Sequence, residues 1–300
     1  MDELVARLRS AGCVFAEDEA RVLTEAADGD TVRLEQLVSA RVGGLPLEHL
    51  VGWAELDGRR WLVAPAVFVP RRRSELLVRE AAQRAAAGTA EATGAIAEAT
   101  TAGPLLLVDL CCGSGALGGA VAARLRRAGH DVEIYAADVD PVAVTCAHDN
   151  LKALSDDDDA LPGAGRLNAH TFTGDLADPL PAEVWGRVDV LVANAPYVPT
   201  EAISMMPPEA REHEPHVALD GGDDGLTILR RVIDLAPRLL RPGGHLLIEA
   251  GDGQVRAAVE HLAAAGLITT VLTDDELGAT ALAATLPRAD VAVVEPVASP

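Results

Sequence analysis

Basic residues are scarce in this chain of 300: 25 Lys plus Arg stand against 46 Asp plus Glu, a formal charge of −21. That deficit opposes tight non-specific binding to nucleic acid, which needs cations to neutralise phosphates. Arg71-Arg72-Arg73 is a candidate local basic patch, and the acidic surface as a whole would steer a basic protein partner toward it. Aromatics are also few, at 3%. A core built mostly of Leu, Val and Ala suits a parallel sheet covered by helices. The four cysteines, Cys13, Cys111, Cys112 and Cys146, show no C-x-x-C pairing, and adjacent Cys111 and Cys112 are poor disulfide partners. They read as reduced, structural thiols of a cytoplasmic protein, with no metal site among them. No stretch of about 18 uncharged apolar residues is present, so no membrane span is expected. Met1–Ser10 is charged and lacks the apolar core of a signal peptide.

What is abundant is apolar character, 49% of the chain, enough for a sizeable core. Residues 1–52 read as short amphipathic helices, with Leu4, Leu8, Val22, Leu23, Leu34 and Leu37 among charges, broken at Gly43-Gly44-Leu45-Pro46. Trp53 to Val69 reads as a hairpin turning at Asp57-Gly58. A helix is expected from Ser74 or Glu75 to Arg84. Residues 86–103, almost all Ala, Gly, Thr and Glu, read as a low-complexity linker extension, with partial helix or disorder as its alternatives.

From residue 104 strands and helices alternate, which implies a doubly wound α/β sheet. The expected strands are 105–108, 132–137, 188–193, 245–249, 268–272 and 290–294. A further strand precedes Gly174. The expected helices are 116–128, 141–154, 226–240 and 252–265. The four acids 156–159 read as a solvated loop.

Two regions carry chemistry. Gly113-Ser114-Gly115-Ala116-Leu117-Gly118 matches G-x-G-x-x-G between a strand and a helix, where backbone amides and a helix N-terminus can approach a ligand. That motif fits a nicotinamide dinucleotide equally well. Asp138, at the second strand end, can accept both hydroxyls of a ribose and does not discriminate either. Asp109, at the first strand end, favours a ligand carrying an ammonium group, with an Asx cap as the competing reading. Asp140 is expected to cap the helix that begins at Pro141. Asp175 can bond an adenine amino group with Leu176 over the ring, or can belong to a plain surface turn. The second region is Asn194-Ala195-Pro196-Tyr197, directly after a buried strand. It sets a side-chain carbonyl, a backbone carbonyl and an aromatic face at one mouth, a geometry that can hold a planar nitrogen by its hydrogens.

Val108-Asp109-Leu110-Cys111-Cys112-Gly113-Ser114-Gly115, Asp138-Val139-Asp140-Pro141, Asn194-Ala195-Pro196-Tyr197 and Pro242-Gly243-Gly244 together resemble a class I methyltransferase. More narrowly, the chain resembles the HemK/PrmC family, which methylates a glutamine side-chain amide in peptide-chain release factors. The segments Glu214 to Leu226, Pro46 to Gly52 and Val69-Pro70-Arg71 are similar to family segments as well. The resemblance covers nearly the whole chain. It implies a Rossmann-like doubly wound catalytic domain (74–300), a small N-terminal helical substrate-binding domain (1–52) and a linking β-hairpin (53–73). It implies S-adenosylmethionine as cofactor, held by Asp109, Cys111, Cys112, Gly113, Ser114, Gly115, Asp138, Val139, Asp175, Leu176 and Asn194. It implies Asn194, Ala195, Pro196 and Tyr197 as catalytic residues and a release factor as protein partner.

The chain departs from that pattern in three places. Ala195 stands where Asn-Pro-Pro-Tyr has proline, which removes a locked φ. Pro70-Arg71-Arg72-Arg73-Ser74 stands for the usual Pro-Arg-Pro-Glu-Thr. Cys111 and Cys112 replace a glycine and a small polar residue. These departures keep other acceptors in view: a small molecule or biosynthetic peptide amide or amine, and, against the charge, an adenine N6 of nucleic acid. From other classes, a nicotinamide-dependent oxidoreductase fits the glycine loop alone, and a non-catalytic cofactor-binding module remains as an alternative. His213, His216 and His245 read as solvated or packed rather than as bases, and Met205-Met206-Pro207-Pro208 as a mobile loop over the cleft.

Overall fold

The computed structural model describes residues 1–92, 103–157 and 163–288. The N-terminal segment forms α1 (Asp2–Ser10), α2 (Ala16–Ala27), α3 (Thr31–Val42) and α4 (Leu47–Val51). Asp30 caps α3 by accepting from the Val32 and Arg33 amides at 2.8 and 3.1 Å. The first three helices close around Leu8, Ala16, Ala20, Leu23 and Val38, a small core of their own.

Strands β1 (Trp53–Leu56) and β2 (Arg59–Leu62) follow as an antiparallel pair. The turn residues Asp57 and Gly58 both have positive φ, 55° and 69°, the conformation of a two-residue hairpin that matches strand twist. A short 3-10 turn at Arg72–Ser74 leads into α5 (Glu75–Ala92). Of the expected low-complexity stretch, residues 86–92 take the helical alternative and continue α5, because an alanine-rich run is a good helix former, and 93–102 lie outside the described residues.

The remaining elements are β3 (Leu105–Leu110), α6 (Ala116–Arg127), β4 (Val132–Asp138), α7 (Pro141–Asp156), β5 (Leu167–Thr173), β6 (Val188–Ala193), α8 (Pro208–His213), α9 (His216–Leu219), α10 (Thr227–Leu239), β7 (Leu240–Glu249), α11 (Val255–Ala264), β8 (Ile268–Asp274) and β9 (Ala279–Thr285). They build a seven-stranded sheet in the order β5-β4-β3-β6-β7-β9-β8, parallel except for β9. Alternate residues of β3 serve opposite layers. Leu105 and Leu107 face the core shared with α5 and α6, and Leu106, Val108 and Leu110 face the core shared with α10.

Three sequence expectations change. Leu240 opens β7 instead of closing α10, and residues 252–254 are a 3-10 turn ahead of α11. The partner of β8 is Ala279–Thr285; an Ala-rich strand with no Val or Ile gives little β signal. The strand expected at 290–294 lies outside the described residues.

The chain builds outward from β3 to β4 and β5, then returns to place β6 on the other side of β3. That reversal opens a crevice at the carboxyl ends of β3 and β6, the usual ligand position in a doubly wound sheet. Trp61 seats the hairpin against this body. Its indole N–H donates to the Leu56 carbonyl at 3.1 Å, and its ring lies on Gly119 of α6, where an added Cβ would come within 2.5 Å. Among the described residues no helix is long and apolar enough to cross a membrane.

Candidate active site

The loop after β3 makes the floor of the crevice. Its residues Cys111, Gly113 and Gly115 have φ of 56°, 54° and 73°. For a non-glycine residue such as Cys111 this conformation is strained. Asp109 points to the α6 side of β3 and is fully buried. Its Oδ2 accepts from the Gly118 amide at 2.9 Å. An added Cβ on Gly118 would stand 2.7 Å from that oxygen, so the last glycine of the motif exists for this approach. The other oxygen, Oδ1, is buried without a hydrogen-bond partner. Burial, aided by the nearby charge of Asp138, pushes the Asp109 carboxyl up to about 7.

Asp138 closes β4. Its two oxygens accept from the Gly113 amide at 2.9 Å and the Asp140 amide at 3.0 Å, and burial raises its carboxyl. Asp140 caps α7 through the Val142 amide at 2.8 Å, as a cap expectation for that residue requires. Ser114 is buried, and its carbonyl accepts from Asn150 at 2.8 Å. Asn150 also pairs with both backbone groups of Leu62, tying β2 to this loop. Burial holds the Cys111 and Cys112 thiols well above their ordinary range. Asp175 is exposed and paired with Arg231 at 2.7 Å, while Leu176 beside it is buried.

A cavity of about 330 Å³ is lined by Cys111, Cys112, Gly113, Ser114, Asp138, Val139, Asp175, Leu176 and Asn194, with Pro196 at its end. The structure thus gathers the sequence-selected loop, strand-end and motif residues at one place; Asp109, near the end of β3, and Gly115, in the loop that follows, are not part of this lining. A second cavity, about 380 Å³, is lined by Asn194, Ala195 and Tyr197 with Arg71, Arg73 and Glu214. Asn194, Phe68 and Ala218 belong to both. Of these three, Asn194 is the polar one, and its side-chain amide makes no hydrogen bond among the described residues.

The second cavity contains a charge network that the sequence did not reveal. Tyr197 donates its hydroxyl hydrogen to Glu249 at 3.0 Å and accepts from the Arg73 guanidinium, which also binds Glu249. Ser74 donates to the second Glu249 oxygen at 3.0 Å. Burial and the Glu249 charge push the Tyr197 phenol up. Arg71 pairs with Glu214, whose second oxygen, Oε2, is buried without a partner and whose carboxyl is raised by burial. The Arg71-Arg72-Arg73 run is accordingly not a free basic patch: two of its cations are held by Glu214 and Glu249. Glu249, Arg73 and Asn150 left no motif in the sequence, since each gains its meaning from a partner at least 36 residues away. Of the segment expected as a loop over the cleft, Met205 ends a 3-10 turn (Thr200–Met205), Pro208 opens α8, and Met206 and Pro207 between them line the second cavity; a 2.9 Å ion pair ties Glu209 of α8 to Arg41 of α3.

No family profile matches the chain. Individual relatives do. Over 242 residues it is 32% identical to a release factor glutamine methyltransferase of Geobacter sulfurreducens, covering 81% of this chain and 73% of that one. It is 34% identical over 247 residues to that of Moorella thermoacetica, covering 82% and 76%. For Bradyrhizobium diazoefficiens the figures are 32% over 283 residues, 88% and 86%. The chain belongs to the release factor glutamine methyltransferase family. S-adenosylmethionine is the methyl donor of this family. The fold has a solved counterpart in the human METTL16 catalytic domain bound to an RNA hairpin, with a TM-score of 0.53 at 13% identity, covering 86% of this chain and 84% of that one. That likeness concerns the fold alone.

The first cavity fits such a donor on its own chemistry. Asp138 at a strand end in the lining and the left-handed glycine loop beside it make a set suited to a ribose and a close backbone approach, while Asp109 Oδ1, buried without a partner, lies outside the lining.

Proposed function

We propose that this protein methylates the N5 of a glutamine side chain, that of a peptide-chain release factor, with S-adenosylmethionine as donor. The observation that carries the reading is the position of Asn194. Its free amide stands in the wall between the cavity suited to the donor and the cavity containing Ala195 and Tyr197.

In this reading Asp109, Cys111, Cys112, Gly113, Ser114 and Gly115 hold the donor's amino-acid end, Asp138 and Val139 its ribose, and Asp175 and Leu176 its base. When bound, S-adenosylmethionine supplies a methyl carbon made electrophilic by the attached sulfonium.

The chain's own task is orientation. An amide nitrogen is a poor nucleophile because its lone pair is delocalised into the carbonyl. Asn194 Oδ1 and the Ala195 carbonyl accept its two hydrogens and so turn the lone pair toward the first cavity. Tyr197 packs on the amide plane and Pro196 stiffens the turn. As the nitrogen gains positive charge those two oxygens bind it more strongly, which is stabilisation selective for the transition state. The sulfur–methyl bond would break as the nitrogen–methyl bond forms, leaving a neutral thioether, and the N-protonated product amide is acidic enough to release its extra proton to water, so no general base is required. His245 is bonded to Thr285 at 2.9 Å and His216 faces Asp220 at 3.8 Å, both outside the two cavities.

Residues 1–52 act as a domain that grips the protein acceptor, joined by residues 53–73 to a catalytic domain over 74–300. A formal charge of −21 supports a protein acceptor over nucleic acid.

The test is methylation of purified release factor with S-adenosylmethionine, read by tandem mass spectrometry. A methyl-sized gain on the glutamine of the Gly-Gly-Gln loop is expected. No gain, with donor binding confirmed in the same preparation, would transfer the activity to a different amide or amine, on a small molecule or a biosynthetic peptide.

A further inference from the structure

Two departures from the family pattern meet in space. Ala195 lacks the ring that would fix φ beside Asn194. Two residues on, Tyr197 is clamped by Arg73, which occupies the position where Pro-Arg-Pro-Glu-Thr has an acid. The clamp has three contacts. The guanidinium donates to the Tyr197 hydroxyl through Nη2 and to Glu249 through Nε, and its carbon lies 5.7 Å from the centre of the Tyr197 ring. Tyr197 in turn donates to the same Glu249 oxygen at 3.0 Å, closing a ring of three side chains.

This ring joins three separate pieces of chain: the turn before α5, the end of β7 and the loop after β6. Glu249 is itself anchored, 4% exposed and bonded by Ser74 at 3.0 Å. The charge it carries is balanced by the half-buried Arg73, so Glu249 is buried without an uncompensated charge. From the backbone side, Gln254 donates to the Tyr197 carbonyl at 2.8 Å. Both ends of Tyr197 are therefore held, while the residue that lacks a conformational lock is Ala195.

We propose that Arg73 is a positioning residue for methyl transfer: by locking Tyr197 to Glu249 it restores from outside the motif the rigidity that Ala195 removes from within it. The inference rests on the proposed acceptor site. Arg73 touches no reacting atom in this scheme. It fixes the plane of the Tyr197 ring, hence the plane in which the acceptor amide lies, and a small error there is costly to turnover. A guanidinium can bridge two acceptors with a rigid fork; an ammonium cannot do so in the same geometry.

Arg73→Lys is the informative variant, because it keeps the charge that balances buried Glu249 and loses the bridge. With the wild-type acceptor, kcat should fall roughly ten- to a hundredfold while KM for donor and acceptor moves less than about threefold. In an Ala195→Pro background the same change should cost less than about threefold in kcat, since the lock is then internal. Equal losses in both backgrounds would overturn the proposal.

A second readout does not depend on catalysis. The chain has two tyrosines, Tyr135 and Tyr197, so ring-carbon-labelled tyrosine gives two sets of NMR signals, assigned with Tyr135→Phe. Arg73→Lys should shift and sharpen the Tyr197 set through faster ring flipping and leave Tyr135 unchanged. An unmoved Tyr197 signal would sink the clamp. If wild-type protein methylates no release factor, the acceptor reading fails by itself, and the ring signal alone then decides the clamp. If Ala195→Pro does not fold, the ring signal and the split between kcat and KM in the single variant decide it.

Discussion

Asp109 and Gly118 meet at the junction of β3 and α6, where a carboxylate oxygen receives an amide hydrogen at 2.9 Å inside a wall that excludes water. The folded protein holds this carboxyl up at about 7, against an unfolded value near 3.8. Between those pH values the unfolded chain releases the proton and the folded chain keeps it. Stability from this group is therefore fully present below the unfolded value and is lost as pH rises toward 7, by on the order of 4 kcal/mol in total. Asp109→Asn should flatten the decline in urea midpoint across that window in the ligand-free protein. It should also weaken donor binding by titration calorimetry at pH 8, where the wild-type carboxylate is ionised. An unchanged pH profile would remove Asp109 as its source.

Asn194→Ala should leave donor affinity within about threefold and lower kcat by roughly 10²–10³, the usual cost of removing one group that binds developing charge. Calorimetry and steady-state methylation on the same sample separate the two effects. Retained turnover would remove the amide-holding mechanism.

Cys111 carries a side chain at φ 56°. A β-branched residue tolerates that region worse than cysteine does, and glycine tolerates it best. Cys111→Val should cost about 2 kcal/mol in urea denaturation, and Cys111→Gly should lie within about 1 kcal/mol of the wild type. The reverse order would mean that packing by the thiol outweighs backbone strain.

Arg41 is nearly buried between Glu19 at 2.6 Å and Glu209 at 2.9 Å, and also donates to the Leu45 carbonyl at 3.0 Å. Arg41→Ala leaves Glu19 without its counter-charge and should destabilise the protein by about 3 kcal/mol. If residues 1–52 help to grip the acceptor, the same variant should raise KM for the release factor more than it lowers kcat. An unaltered KM would restrict α1 to α4 to a structural role.

How much of this was legible in the sequence depends on where the relevant contacts lie. The β3 loop, Asp138 with its following cap, and Asn194 to Tyr197 are local signals: their meaning is set by neighbours a few residues away and by the strand just before them. The Asp57-Gly58 turn was legible for the same reason, because left-handed backbone at both positions selects those residues. The Glu249–Arg73–Tyr197 ring was not: Tyr197 stood out as part of its motif and Arg73 as part of a basic run, but the contact between them and Glu249 joins three distant segments and leaves no local pattern. β9 was missed on composition: Ala279-Thr280-Ala281-Leu282-Ala283-Ala284-Thr285 is a strand because β7 and β8 flank it, not because alanine favours one.

The side-chain amide of Asn150 pairs with the Leu62 N–H and C=O at 2.7 and 2.9 Å, in the manner of a neighbouring strand, and passes its remaining hydrogen to Ser114 at 2.8 Å. One planar group therefore acts as a rivet through three layers: the hairpin, α7 and the glycine loop. The hairpin cannot lift from the sheet without loosening the carbonyl that shapes the loop, so seating of the N-terminal part and readiness of the cofactor loop are one event. A residue that lines neither cavity would then display, in any survey of variants, the symptoms of a binding residue.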